Sequence, residues 1–300
     1  MIYWRLIAQF TLAVLVLGTL FVQPAGVGPS YTGSLLDAHS HLTMSISPPD
    51  LLSLFRKADL SGIVLFGDAA TLLSLQKQNS DFVFPFAQPG GRDSHTGQLT
   101  ATTLELIKQQ FDTGVMRGVG ELSLRAGANP NMPLNAIPAD DPIALQIYDL
   151  AASRKVPVTV HVEFEYSAEL ERALDHNRNA TIIWAHMGDG QPTLIREMLK
   201  KHANLYVDIS ARNPYMQRGR PIQDQSLTNT DGSLKSDWES VFEEFADRIL
   251  YGTDIGGAGG QFLDVDQLVS YYRSVLGQLT TQTAEKIGYK NVQKFLGLAK

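Results

Sequence analysis

The residues best equipped for chemistry in this chain are few, and their positions are not random. Asp37, His39 and His41 end an apolar run as D-A-H-S-H, and His161, His186 and Asp254 each end another. Two histidines separated by one residue project from the same side of a strand, about 6–7 Å apart along it. Imidazoles so spaced can grip one cation, and a carboxylate completes such a set. Four of the seven histidines thus fall at the carboxyl ends of apolar runs. Glu121 ends one more run as G-V-G-E-L, where a carboxylate can bridge two ions or join a hydrogen-bond network.

The chain has no cysteine, which excludes thiolate nucleophiles, disulfides, iron–sulfur clusters and cysteine-ligated zinc. Imidazole and carboxylate donors suit zinc, with manganese as an alternative, as one ion or two. A divalent ion lowers the pKa of its bound water toward about 7 and so supplies hydroxide at neutral pH. Asp254 is expected to take that water's proton and deliver it to the leaving group. His186 is expected to help polarise the scissile oxygen.

These residues need elements that bring them together. Eight short apolar runs recur: SLLDAHSHL, GIVLFGD, FVFPFAQP, VMRGVGEL, VPVTVHVE, ATIIWAHMG, NLYVDIS and RILYGTDIG. Continuous apolar character suits parallel strands buried on both faces. Amphipathic stretches lie between them, the first opened by Pro48-Pro49-Asp50, a helix-start signal. Eight strand–helix alternations in about 270 residues predict an α/β fold, a distorted (β/α)8 TIM barrel. An open doubly wound sheet is the rival, but DAHSHL stands where its G-x-G-x-x-G fingerprint belongs. Long excursions at residues 125–141 and 212–235 follow the fourth and seventh strands and are expected to rise over the mouth.

The ordered set of H-x-H, strand-four Glu, strand-five His, strand-six His and strand-eight Asp resembles the amidohydrolase superfamily. Within it the chain is similar to the amidohydrolase 2 group of metal-dependent barrels, over residues 35–298. The resemblance implies His39, His41, His161 and Asp254 around a primary metal. It leaves Glu121 and His186 for a second ion, or His186 as a base or polariser. It further implies a hydrolase acting on an amide, lactone or ester of a small molecule. Similar barrels include decarboxylases, the first alternative. The Gly-Glu of G-V-G-E-L also resembles TatD-type deoxyribonucleases. A barrel that has lost turnover and serves as an exported binding protein is the non-enzyme alternative.

Composition bears on these readings. Hydrophobic residues make up 44% and charged residues 19%, an ordinary globular balance with material for one core. A formal net charge of −6 disfavours nucleic acid and leaves small molecules as the better partner.

The first residues read differently. Arg5 is the only charge before Asp37, and an apolar run from Leu6 to Val22 precedes QPAGVGPS. This is the layout of a secretory signal peptide, with an uncleaved signal anchor as its rival. The expected organisation is a signal or anchor over residues 1–28 and one hydrolase barrel over 29–300. Either form of the segment implies export, periplasmic or secreted, with membrane contact only through an uncleaved anchor.

Other residues carry weaker expectations. Arg212 and Arg125, after the seventh and fourth strands, could bind a substrate carboxylate or phosphate. Asp68, Gln88 and Arg92 could line the mouth. Asp208, within the seventh strand, is expected to accept a hydrogen bond from a ligand. Glu163 and Glu165 would make the rim acidic, and His95, His176 and His202 would be solvated.

Overall fold

A computed structural model describes residues 28–126, 136–215, 226–257 and 264–298. The expected signal segment, apart from Gly28, lies outside the described residues, as do the middles of both long excursions. Strands and helices alternate as β1 (Leu36–His41), α1 (Pro48–Lys57), β2 (Gly62–Phe66), α2 (Ala69–Gln78), β3 (Val83–Pro85) and α3 (Ala101–Asp112). The rhythm continues through β4 (Val119–Arg125), α4 (Pro142–Arg154), β5 (Pro157–Val162), α5 (Ser167–His176), β6 (Thr181–Trp184) and α6 (Pro192–Lys201). It closes with β7 (Leu205–Asp208), α7 (Ser236–Glu244), β8 (Ile249–Leu250) and α8 (Val265–Leu276), followed by α9 (Thr281–Glu285) and α10 (Asn291–Phe295).

All strand pairs are parallel, in runs of three (β1-β2-β3) and five (β4 to β8). Two single bridges join the runs, Ala87 with Val119 and Ser40 with Ile255. Backbone bonds seal each seam: Gly120 N–H to Ala87 O at 3.0 Å, and His41 N–H to Ile255 O at 2.8 Å. The chain is therefore a distorted (β/α)8 barrel, and sequence and structure agree on the count of eight. Its distortion has a visible cause, because β3 and β8 are only three and two residues long.

Local sequence explains the helix starts. Ser47 accepts from Asp50 N–H ahead of Pro48 and Pro49, and Asp141 caps α4 ahead of Pro142. Proline tolerates the first turn because its missing N–H has no partner there anyway. The strands bury nearly every residue. Their outer side chains join a large shell core with the helices. A smaller cluster, including Leu36, Phe66, Phe84, Phe86 and Leu250, fills the barrel with Val292 and Leu296 from the last helical turns. Phe66 meets both His39 and His41 edge-on, with ring centroids 5.0 Å apart in each case. The site thus rests on an apolar plug. Among the described residues, no helix is long and apolar enough to cross a membrane.

Candidate metal centre

The strand ends deliver their polar residues to one point. β1 slips against β2 between Asp37 and Ser40, and β4 slips against β5 between Val119 and Leu122. Such bulges re-aim side chains. They bring the Nε2 atoms of His39 and His41 within 3.1 Å, closer than a regular strand would. Asp254 Oδ1 lies 3.5 Å from His39 Nε2 and 3.3 Å from His41 Nε2. Asp254 reaches this position from a left-handed backbone (φ 60°), with its N–H bonded to His39 O at 2.8 Å.

Glu121 links this triad to a second group. Its Oε1 stands 3.8 Å from His39 Nε2, 3.4 Å from His186 Nε2 and 2.9 Å from His161 Nδ1. Its Oε2 is 3.6 Å from His41 Nε2. His186 follows β6 on a turn in which residues 186–189 all have positive φ. Left-handed backbone costs about 1–2 kcal/mol per non-glycine residue, so packing must hold the turn. Gly188 lies against the Trp184 indole, which donates to Val162 O at 2.6 Å.

Carboxylates and hydroxyls orient the imidazoles from behind. Asp208 Oδ2 is 3.0 Å from His39 Nδ1, and Asp208 Oδ1 accepts from His186 N–H at 3.0 Å. Ser210 Oγ lies 2.7 Å from His186 Nδ1. A proton on Nδ1 leaves the Nε2 lone pair directed into the site. Asp37 fixes the backbone: Oδ1 accepts from His39 and Thr253 N–H at 2.9 and 3.1 Å, and Oδ2 from the Ser40 and Thr253 hydroxyls at 2.7 and 2.6 Å.

The donor set fits a divalent ion. Two ligands of a tetrahedral zinc, each about 2.0–2.2 Å from it, stand about 3.3 Å apart. The His39–His41–Asp254 separations of 3.1, 3.5 and 3.3 Å match that spacing. A second triad, His39, Glu121 and His186, also converges. Electrostatics agree. Burial opposes a charge on His39, yet the carboxylates of Asp208, Glu121 and Asp254 raise its pKa to about 9. Burial likewise opposes ionisation of Glu121, but His161 and His39 hold its carboxyl well below the usual range. Burial pushes Asp37 up to about 6, against its four hydrogen bonds. This much buried acid beside imidazole is a site built to receive positive charge.

The structure brings His39, His41, Glu121, His161, His186 and Asp254 together, with one shift of emphasis. His161 approaches through Glu121 and lies ring-to-ring with His186 at 5.0 Å, outside the His39–His41–Asp254 triad. Asp208 is the hydrogen-bond acceptor expected.

Four expectations need correction. Glu163 is buried, not a rim acid, and faces His161 Nε2 at 3.6 Å. His202 is buried as well, its ring nitrogens 3.7 Å from Glu171 and Asp175 of α5. Arg125 is a strut, bonded twice to Glu169 at 2.9 and 3.0 Å and once to Ala136 O. Arg212 is 1% exposed, donates to Gly190 O at 3.1 Å and stacks over Trp238 at 5.0 Å. The last two are packed into the scaffold, not held out as clamps.

Sequence reasoning missed the anchoring roles of Asp37, Ser210 and Thr253. The only signal for Asp37 was its place at the head of D-A-H-S-H.

The amidohydrolase family profile matches residues 68–298. The chain belongs to the amidohydrolase family. The match begins beyond His41, so the H-x-H pair joins the family's region only through the fold. No curated protein matches the sequence significantly. Among solved structures, this amidohydrolase is similar to one from Burkholderia multivorans with bound zinc, at 13% identity and TM-score 0.59, covering 88% of this chain and 99% of that one. It is similar to a probable 2-pyrone-4,6-dicarboxylic acid hydrolase from Acinetobacter baumannii with citric acid bound, at 14% and 0.56, covering 88% and 99%. A dihydroxybenzoic acid decarboxylase from Polaromonas sp. JS666 with bound manganese and the inhibitor 2-nitroresorcinol aligns at 14% and 0.50, covering 89% and 98%. These likenesses establish the barrel fold.

Proposed function

We propose that this amidohydrolase is a metal-dependent hydrolase that opens an amide, lactone or ester bond in a small molecule. The observation that carries the reading is the convergence of His39, His41 and Asp254 at distances of 3.1 to 3.5 Å. His39, His41 and Asp254 would hold a first divalent ion, with Glu121 shared toward a second held by His186 and His161. Bound there, a divalent ion supplies Lewis acidity and lowers the pKa of water. Asp254 accepts the proton of the attacking water at a carboxylate oxygen and returns it to the leaving group. If only one ion is held, His186, fixed by Ser210 and Asp208, would instead be free of metal, and in its protonated form would donate from Nε2 to the substrate oxygen and steady the charge that develops on it. Asp208 keeps His39 in one tautomer throughout. The zinc and manganese of the similar structures support a divalent ion for this chain.

A decarboxylase is the second reading, supported by the decarboxylase among the similar barrels. One experiment separates the two. The protein is purified without chelator, assayed for metal and screened against amides, lactones, esters and aromatic acids. One to two equivalents of divalent ion and hydrolytic turnover are expected. Carbon dioxide release without water incorporation would select the lyase, and absence of metal with no activation by zinc or manganese would sink both.

The amino-terminal segment is proposed to direct export, on its single charge and apolar run. Amino-terminal sequencing of exported protein tests cleavage near residue 28.

A further inference from the structure

We infer that a cleft on the flank of the barrel, between α8 and the connection from β7 to α7, binds a neutral sugar at a site separate from the metal centre. The cleft encloses about 310 Å³, at the lower end of the roughly 300–1,000 Å³ of small-molecule sites. None of its lining residues is a candidate metal ligand. One wall is α8, where Gln267, Ser270 and Ser274 stand three and four residues apart on one outward face. Among the described residues, the side chains of these three make no hydrogen bond to the protein. An amide and two hydroxyls are thus left to serve a ligand.

The facing wall is the returning part of the connection, and it is fastened to α8. Gln278, just past that helix, accepts from Leu234 N–H at 2.7 Å and donates to Gly232 O at 3.1 Å. Leu227 N–H donates to the Tyr271 hydroxyl at 3.0 Å, and Ser226 Oγ lies 3.2 Å from it. The same hydroxyl donates to Arg212 O at 3.3 Å. The scaffold therefore uses the polar tip of Tyr271 and leaves its ring to the cleft. Tyr215, 38% exposed, meets that ring edge-on at 6.0 Å and adds a second aromatic surface. The lining selects the ligand. No acid, lysine, arginine or histidine lines the cleft, so a phosphate, carboxylate or ammonium finds no counter-charge there. An apolar ligand would cover the amide and hydroxyls without pairing them, which is costly. A pyranose matches both parts: its C–H face packs on tyrosine rings, and its hydroxyls donate and accept as serine and glutamine do.

The test is saturation-transfer NMR and calorimetry on the full chain with glucose, maltose, cellobiose and N,N′-diacetylchitobiose. Glucuronate and glucosamine serve as charged counterparts. At least one neutral sugar should bind at millimolar concentration and more tightly than either charged one, in metal-loaded and chelator-treated protein alike. Ser270→Trp fills the cleft and should abolish binding. Tyr215→Ala should weaken it about 3- to 10-fold, the range for an aromatic contact, while Tyr215→Phe keeps the ring and should retain it. Metal content and unfolding midpoint report whether each variant is intact. If Ser270→Trp fails to fold, the Tyr215 pair decides. No neutral sugar bound at millimolar concentration, charged sugars bound as well as neutral ones, or undiminished affinity in Ser270→Trp or Tyr215→Ala would overturn the inference. Metal and turnover judge the hydrolase reading and metal-independent binding judges this site, so either can fail alone.

Discussion

Asp37 and Thr253 tie the first strand to the segment after the last one, through bonds of 3.1 Å to the Thr253 N–H and 2.6 Å to its hydroxyl. The same carboxylate holds the His39 N–H. One buried acid thus sets the spacing between His39 and Asp254, two members of the tightest triad. Removing it by Asp37→Ala leaves four donors unsatisfied and should cost about 3 kcal/mol or more. Denaturant unfolding measures the loss. Metal affinity should fall in parallel, and an unchanged affinity would separate Asp37 from the site.

Asp254→Asn keeps the size of the side chain and removes its basicity. Turnover should drop by about 10²–10⁴, while most of the metal stays bound by His39 and His41. Elemental analysis beside kinetics checks both halves. Full activity would take the proton-transfer role away from Asp254.

Glu121→Gln should lower metal stoichiometry from near two to one, because Glu121 stands within 3.8 Å of His39, His41 and His186 alike. One equivalent in both proteins would mean a single-ion site, and two in both would remove Glu121 from the ligands of the second ion.

The raised pKa of His39 gives a pH dependence in the metal-free protein. His39 titrates near 9 when folded and near about 6.5 when unfolded. The folded state therefore holds more protons between those values, and stability must fall as pH rises through that window. Chelator-treated protein should melt at progressively lower temperature from about pH 6.5 to pH 9. Below the window this contribution is fully present. Adding zinc at pH 7.5 should release protons, which a weakly buffered titration with a dye detects.

Gly188 tests the left-handed turn. It has φ of +58°, and a Cβ there would lie 2.2 Å from the Trp184 ring. Gly188→Ala should destabilise by about 2 kcal/mol or more and misplace His186. A thermal melt and metal content report the two effects separately, and a neutral substitution would show that the turn can relax.

Much of this protein is legible in its sequence. The continuous apolar runs determine eight buried strands, since parallel strands bury both faces. Prolines and capping residues determine where helices begin. The ends of those runs name His39, His41, Glu121, His161, His186 and Asp254, because a barrel gathers strand ends at one mouth. Only the tertiary structure decides distances and partners. The slips in β1 and β4 that aim His39 and Glu121 depend on neighbouring strands, which no local pattern encodes. The same holds for burial of polar side chains. Glu163, His202 and Arg212 occupy stretches that read as exposed, yet Glu163 is buried beside His161, α5 faces His202, and Gly190 and Trp238 pack on Arg212. Asp37 shows the division most clearly: its type and place are visible in D-A-H-S-H, but its partner Thr253 lies 216 positions away, and only closure of the barrel makes them neighbours.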